Sequence, residues 1–212
     1  MVIDRKAHWR RVFGRQPAGQ ASWYQARLRL SLALISRARI PTDSQVIDVG
    51  GGDSTLVDDL LQAGFSRLTV LDISSEALNR AMARLGPLVE KVSWIEADIL
   101  AAQLPSSHFD LWHDRATFHF LTDPVSQHSY LDTLRRALRP QAHVIIATFA
   151  RDGPDHCSGL ATARYDSDTL QRALGPDFTL QEAIPETHTT PAGVEQRFLY
   201  GLFRRGANAH SA

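Results

Sequence analysis

The stretch Val46-Ile47-Asp48-Val49-Gly50-Gly51-Gly52-Asp53-Ser54 decides how this chain folds. Gln45–Val49 is short and β-branched, which reads as a buried strand. Three glycines break it, and Ser54–Ala63 resumes with helical spacing at Leu56, Val57, Leu60 and Leu61 before Gly64. Glycine permits positive φ and close backbone approach. A strand that runs through glycines into a helix therefore offers a ligand site in the crevice beyond the strand's carboxyl end. Taken alone, the cluster also reads as a tight strand-to-helix turn and nothing more.

The flanking sequence repeats the unit. Arg67–Leu71, Lys91–Glu96, Phe109–His113 and His143–Phe149 read as further strands. Between them, Ser74 or Ser75 caps a helix with Ala77, Leu78, Ala81, Met82 and Leu85 on its inner face. Asp123-Pro124 opens another that carries Val125, Tyr130, Leu131, Leu134 and Leu138 inward and stops at Pro140. Alternating strands and helices predict right-handed βαβ units around a parallel sheet. The end of the chain differs: a helix over Ser167–Leu174 precedes two extended runs, Thr179–His188 and Glu195–Arg204. Thr190-Pro191-Ala192-Gly193 joins them as a turn. The expected fold is thus α/β and doubly wound, mostly parallel, with an antiparallel terminal hairpin strand. Helices over Asp4–Phe13 and Ser22–Arg39 are expected to form an N-terminal cap (residues 1–40) on a single domain spanning 1–206, with a disordered tail over 207–212.

The 212 residues fit one domain at roughly 100–200 residues each. Lys plus Arg is 23 and Asp plus Glu is 23, and the absence of a basic excess argues against a nucleic-acid partner. One cysteine excludes an intrachain disulfide framework, and no cluster of three or four ligands predicts a metal. The apolar runs fall short of the ~20 residues of a membrane span, and the N-terminus has no hydrophobic leader. A cytoplasmic protein with no membrane partner is expected; the oligomeric state is not readable.

Acidic residues give the glycine turn its meaning. Asp48 lies in the first strand, Asp72 ends the second, 20 residues after Gly52, and Asp98 follows the third. An acidic residue at Asp72 accepts ribose hydroxyls in nucleotide folds, and Asp98 is placed to accept from an adenine amino group. Thr55 stands where a dinucleotide fingerprint beginning at Gly50 wants its third glycine. That weakens a nicotinamide dehydrogenase reading, as do Asp48 and Asp53 beside a would-be pyrophosphate. A cationic sulfonium with an amino-acid tail suits these carboxylates better.

The run from Asp48 through Gly50, Gly52 and Ser54, followed by Asp72 and Asp98, resembles the first three motifs of class I S-adenosylmethionine-dependent methyltransferases. The resemblance spans about residues 22–205 and includes Ser54 as a common variant of a third motif glycine. It implies a seven-stranded sheet with a reversed last strand. It also implies that Gly50 and Gly52 pass the methionine tail, Asp72 holds the ribose, Ile73 lies on the adenine face and Asp98-Ile99 frames the adenine. Ser22-Trp23-Tyr24 is similar to bacterial small-molecule and some lysine methyltransferases. Asp114-Arg115-Ala116 is similar to the Asp-Arg-Gly of thiopurine methyltransferases, with Ala116 for glycine.

The acceptor is expected past the fourth and fifth strands. No Asn/Asp-Pro-Pro-Tyr run and no Pro-Cys pair is present, which argues against nucleobase or glutamine-amide acceptors. His119 is a candidate base for the acceptor's proton, or a structural side chain that caps a backbone group. His113 reads as core. Asp114 and Arg115 either pair with each other or orient the cofactor's tail. Trp23 and Tyr24 cover the sulfonium or the acceptor, or anchor the N-terminal helix; Trp9 reads as packing only. The 150–164 stretch, with His156, Cys157 and candidate hinges Gly153 and Gly159, is expected to close over the site opposite Trp23-Tyr24. The expected function is methyl transfer from S-adenosylmethionine to N, O or S of a small molecule. The alternatives are a protein lysine or N-terminal amine acceptor, and a non-catalytic cofactor-binding protein.

Overall fold

In a computed structural model that describes residues 4–207, Gln45–Val49 (β1) is flanked by two parallel partners. Arg67–Asp72 (β2) pairs on one side and Phe109–Arg115 (β4) on the other. Four of the five β1 residues are buried, as befits a strand covered on both faces. Val92–Glu96 (β3) extends the sheet beyond β2, and Leu138–Ala150 (β5) extends it beyond β4. The hairpin of Phe178–Thr189 (β9) and Glu195–Arg205 (β10) completes the order β3-β2-β1-β4-β5-β10-β9. Only β10 runs against its neighbours, so the mostly parallel sheet with a reversed hairpin strand is borne out. Pro185 falls in β9, the edge strand, where a missing ladder donor is tolerated.

Helices cover both faces. Arg29–Ala38 (α2), Leu56–Gln62 (α3) and Ser75–Leu85 (α4) pack on one side through Leu34, Leu60 and Leu78. Pro124–Ala137 (α5) and Ser167–Leu174 (α6) pack on the other through Leu134 and Leu170. Arg5–Arg15 (α1), capped by the Asp4 side chain, lies apart and lays Phe13 and Trp9 across the carboxyl edge of the sheet. No helix of the described residues is long and apolar enough to cross a membrane.

Several sequence expectations shift, and Val125, expected to face inward on α5, is exposed. The helix expected from Ser22 begins only at Arg29. The carbonyls of the preceding segment are taken by tertiary donors: His188 Nε2 to Ser22 (2.7 Å), Arg115 Nη1 to Trp23 (2.8 Å) and Thr55 Oγ1 to Ala26 (3.2 Å). These bonds replace the i→i−4 ladder. The helix expected to stop at Pro140 ends at Ala137, and β5 runs straight through the proline. The register slips between Phe109 and Leu111, so Pro140 sits in an irregularity that asks no donor of it. The 150–164 stretch is not loop throughout: His156–Cys157 (β6) pairs with Leu160–Ala161 (β7), and Arg164–Tyr165 (β8) adds to β5. The tail expected to be disordered lies outside the described residues from 208 on.

A buried polar chain fastens α5 to β4. Trp112 Nε1 donates to Tyr130 Oη (2.9 Å), which donates to Asp114 Oδ2 (2.6 Å). All three residues are fully buried. Removing the hydroxyl leaves a buried indole N–H and a buried carboxylate oxygen short of a partner. Tyr130→Phe is therefore expected to cost about 2 kcal/mol or more, lowering Tm by roughly 4–8 °C in a thermal melt. An unchanged Tm would remove this network from the fold's supports.

Candidate functional site

The turn after β1 is built by contacts on three sides. The N–H groups of Gly50 and Gly51 both donate to Leu71 O, at 2.7 and 3.2 Å, pinning the turn to the end of β2. Gly50 has φ +68°, and a Cβ there would stand 1.8 Å from Thr117 Oγ1. Thr117 reaches this place because β4 ends in a kink at Ala116 (φ 70°), and its hydroxyl donates to Val49 O (3.3 Å). A Cβ on Gly51 would meet Asp48 Oδ2 at 2.7 Å. The first two glycines are thus required by packing, whatever binds. Gly52 (φ +46°) stands next to Asp72: a Cβ there would lie 3.0 Å from Asp72 Oδ2 and 3.5 Å from the Phe13 ring. Ser54 Oγ accepts the Leu56 N–H and starts α3.

The three acidic residues sit in different environments. Asp48 is buried and tied to His113 Nδ1 (2.7 Å), whose Nε2 meets Ser31 Oγ (2.9 Å). Asp72 is buried, and its Oδ1 accepts the Ser74 N–H (2.8 Å). Burial pushes its pKa up to about 7, against the pull of Ser74, with Asp48 and Asp53 adding to the rise. The Ser74 and Gly52 backbone donors offset this rise only in part. Asp98 is half-exposed; Oδ1 accepts the Leu100 N–H (3.0 Å) and Oδ2 takes Arg5 Nε (3.2 Å) and Nη2 (3.1 Å). The oxygen expected to meet adenine is held by α1. A partly exposed pair of this kind contributes only about 0–1 kcal/mol, so a ligand can displace it.

Two adjoining cavities open along this edge. One runs from Gly50, Asp72, Ile73, Asp98 and Ile99 to an aromatic end at Phe149 and Phe198. The other is lined by Tyr24, Asp48 and Gly50–Ser54. Phe13, Trp23, Gly50 and Arg115 belong to both. Trp9, read from sequence as packing alone, also lines the first cavity and packs edge-on to Phe120 and Trp23 at 4.9 and 6.0 Å between centroids. Its spacing of four from Phe13 was the available signal: it puts both rings on one face of α1.

Other expected residues move. Asp114 lines neither cavity: its carboxylate accepts from Thr117 N–H (2.9 Å), Phe118 N–H (3.1 Å) and Tyr130. Strand alternation turns Arg115 to the opposite face, so the two do not pair. There Arg115 Nε donates to Tyr200 Oη (2.7 Å), and the guanidinium sits 4.7 Å over the Phe198 ring. His119 lines the cavity yet is fully buried, and its Nδ1 accepts the Phe149 N–H (3.3 Å). Burial and the Arg115 charge pull its pKa down to about 3. A neutral ring with Nδ1 engaged carries its proton on Nε2. In that form its free nitrogen is a donor, and the Phe149 contact is the backbone cap of its structural reading. Cys157 reaches the cavity and contacts Ser22 Oγ (3.9 Å), while His156 is exposed beside Asp155. The 150–164 segment thus meets the Trp23 segment. Gly153 is no free hinge, since a Cβ there would fall 2.6 Å from Arg197 O.

Comparison with known proteins agrees with this architecture. The family profile described as a methyltransferase domain matches residues 46–141, from β1 into β5. An uncharacterized methyltransferase of Mycobacterium tuberculosis is 32% identical over 113 residues, 53% of this chain and 54% of that protein. The chain thus spans about half the length of that relative. The human EEF1A lysine methyltransferase 2 is 22% identical over 87% of this chain and 78% of its own. The crystal structure of Burkholderia thailandensis 1,6-didemethyltoxoflavin-N1-methyltransferase, with that compound and S-adenosylhomocysteine bound, superposes with a TM-score of 0.68 at 20% identity, covering 84% of this chain and 77% of that one. With its glycine turn, acidic strand ends and reversed hairpin strand, the chain is similar to class I S-adenosylmethionine-dependent methyltransferases, and residues 46–141 carry the match to the methyltransferase domain.

Proposed function

We propose that this chain is an enzyme that binds S-adenosylmethionine and passes its methyl group to an N, O or S atom of a small molecule. One observation carries the reading: the cavity over Gly50, Asp72 and Ile99 is continuous with an aromatic end walled by Phe149 and Phe198. The residues present fit the cofactor. Asp72 is buried with its pKa raised chiefly by desolvation, and the two donors of a ribose diol would favour its ionised form. Asp48 and Asp53, which line the second cavity, suit a cationic amino-acid tail, and Trp23 and Tyr24 offer ring faces to a cation. Ile73 and Ile99 give apolar surfaces for adenine. Asp98 meets the adenine amino group once Arg5 yields its oxygen.

When bound, the cofactor supplies an electrophilic methyl group. The protein supplies alignment and exclusion of water, for which an ordered pair of reactants can remove ~7–11 kcal/mol of barrier. Trp9, Trp23 and Phe120 pack against one another at the cavity rim and keep solvent out. A protein lysine is the second reading, favoured by the likeness to the human lysine methyltransferase over most of the chain. The aromatic lining from Trp9, Trp23 and Phe120 favours a compact apolar acceptor over a flexible side chain entering from a docked protein.

Asp72→Asn separates the roles of this carboxyl. The folded pKa of about 7 lies above the ordinary 3.8, so ionisation opposes folding: stability is lost as pH rises from about 4 through 7. The amide removes that loss. At pH 8 the variant is expected to melt higher than wild type while binding S-adenosylhomocysteine at least tenfold more weakly by calorimetry, the loss of one charge-assisted bond or more. Equal affinity in the folded variant would dismiss Asp72 as the ribose acceptor.

In the wild type, the ligand's hydroxyls favour the ionised carboxylate. Affinity for S-adenosylhomocysteine is therefore expected to fall about tenfold from pH 8 to pH 6. A flat profile would show that Asp72 does not contact the ligand. At a concentration 100 times Kd the product should stabilise the fold by ~2.7 kcal/mol, read as a raised Tm.

A further inference from the structure

Two hydrogen-bond donors at the aromatic end of the cavity make no hydrogen bond. Arg115 is nearly buried, its side chain 6% exposed. Its Nε and Nη1 are taken by Tyr200 Oη and Trp23 O, and its Nη2 has no hydrogen bond. Glu186 Oε2 makes an ion pair with Nη2 at 3.9 Å, too long for a hydrogen bond, and is itself held by Gln25 Nε2 (3.1 Å). His119 is fully buried, stacked on Phe149 at 4.5 Å, and its Nε2 also lacks a partner. Both side chains line one cavity. A buried donor left unmade costs ~1–3 kcal/mol. Neither has a packing reason to be left so: Arg115 could reach water only by losing two bonds, and His119 is already oriented by the Phe149 N–H.

The pair also sets the sign of what fits. A guanidinium and an N–H donor face a site that, on the proposed function, already receives a cationic sulfonium. A second cation, such as a lysine ammonium, would be repelled, and a neutral amine would meet donors with its own hydrogens. An anion satisfies both donors and balances the charge.

We propose that the methyl acceptor is a compact organic anion, a thiolate or a carboxylate on an aromatic or aliphatic body, received by Arg115 Nη2 and the Nε2–H of His119. The inference rests on the proposed methyl transfer and adds the class of acceptor. A lone pair of the anionic sulfur or oxygen forms the new bond to the methyl carbon. The pair of the breaking carbon–sulfur bond stays on the cofactor's sulfur. The two charges cancel and no proton is released, so no base is needed. His119, whose one free nitrogen carries its proton, is suited to orient the anion and not to deprotonate it. The rings of Phe149 and Phe198 take the apolar body, and their low polarity strips water from the nucleophile.

Matched probes test this on the intact chain. With S-adenosylhomocysteine saturating at pH 8, thiophenol (present as thiolate) is compared with aniline, and benzoate with benzamide. Binding is followed by calorimetry and by the fluorescence of Trp9 and Trp23, which line the cavity. At least one anion should bind about tenfold or more tighter than its neutral partner. Arg115→Gln should erase that preference, read at an S-adenosylhomocysteine concentration that saturates the variant. Incubation with methyl-labelled S-adenosylmethionine then tells thiolate from carboxylate by whether a thioether or a methyl ester forms. If S-adenosylhomocysteine binds and neither anion is preferred, or none of the four binds, this inference is overturned and the proposed function stands. If S-adenosylhomocysteine itself does not bind, the proposed function falls. Should Arg115→Gln fail to fold, the wild-type ratio of anion to neutral partner decides alone.

Discussion

The bonds from Gly50 and Gly51 N–H to Leu71 O hold together everything else at the carboxyl edge. They bring the ends of β1 and β2 into one plane, and Thr117, filling the space a Gly50 Cβ would need, adds the end of β4. Asp72 is thereby set beside Gly52, and Arg115 faces the same hollow from the other strand. A side chain at either glycine would push one strand end away and separate groups that chemistry requires within reach of one ligand. The turn is therefore a constraint of the sheet before it is a feature of binding.

The same edge concentrates polar groups that the fold alone leaves poorly served. Asp72 is raised toward neutrality, His119 is kept neutral by burial and by Arg115, and Arg115 retains one nitrogen without a hydrogen bond. The neighbouring carboxylates are matched: Asp114 takes Tyr130 and two backbone donors, and Asp48 takes His113. Unmatched groups that gather along one cavity are the expected mark of a ligand site, because they are stabilised only when the ligand arrives.

The N-terminal segment completes the site by borrowing its bonds from the sheet. Arg80 on α4 donates to the carbonyls of Phe13 and Gln16 at the end of α1, and Arg5 and Lys6 at its start pair with Asp98 and Glu96. Those two ion pairs are partly exposed and weak, whereas Phe13 is buried. The helix is thus anchored at its C-terminal end and lightly held where adenine is proposed to sit, an arrangement that lets the ligand exchange one contact without unseating the cover.

The sequence by itself determined the sheet, because strand, glycine and helix alternate with local signals that need no distant partner: the Gly50–Gly52 break, the Asp123-Pro124 start and the 190–193 turn all act within a few residues. It also determined the candidate cofactor edge, since Gly52, Asp72, Ile73 and Ile99 each follow a strand and parallel strands end on the same side. Tertiary structure alone decided the acceptor end. Asp114 and Arg115 are neighbours in sequence, yet strand alternation sends one to Tyr130 and the other into the cavity. Whether His119 accepts or donates depends on the Phe149 N–H, 30 residues away. Residues 22–28 lost their helix to donors from β4, α3 and β9. In each case the outcome turns on which hydrogen bonds are already taken, and that is settled by partners far apart in the chain.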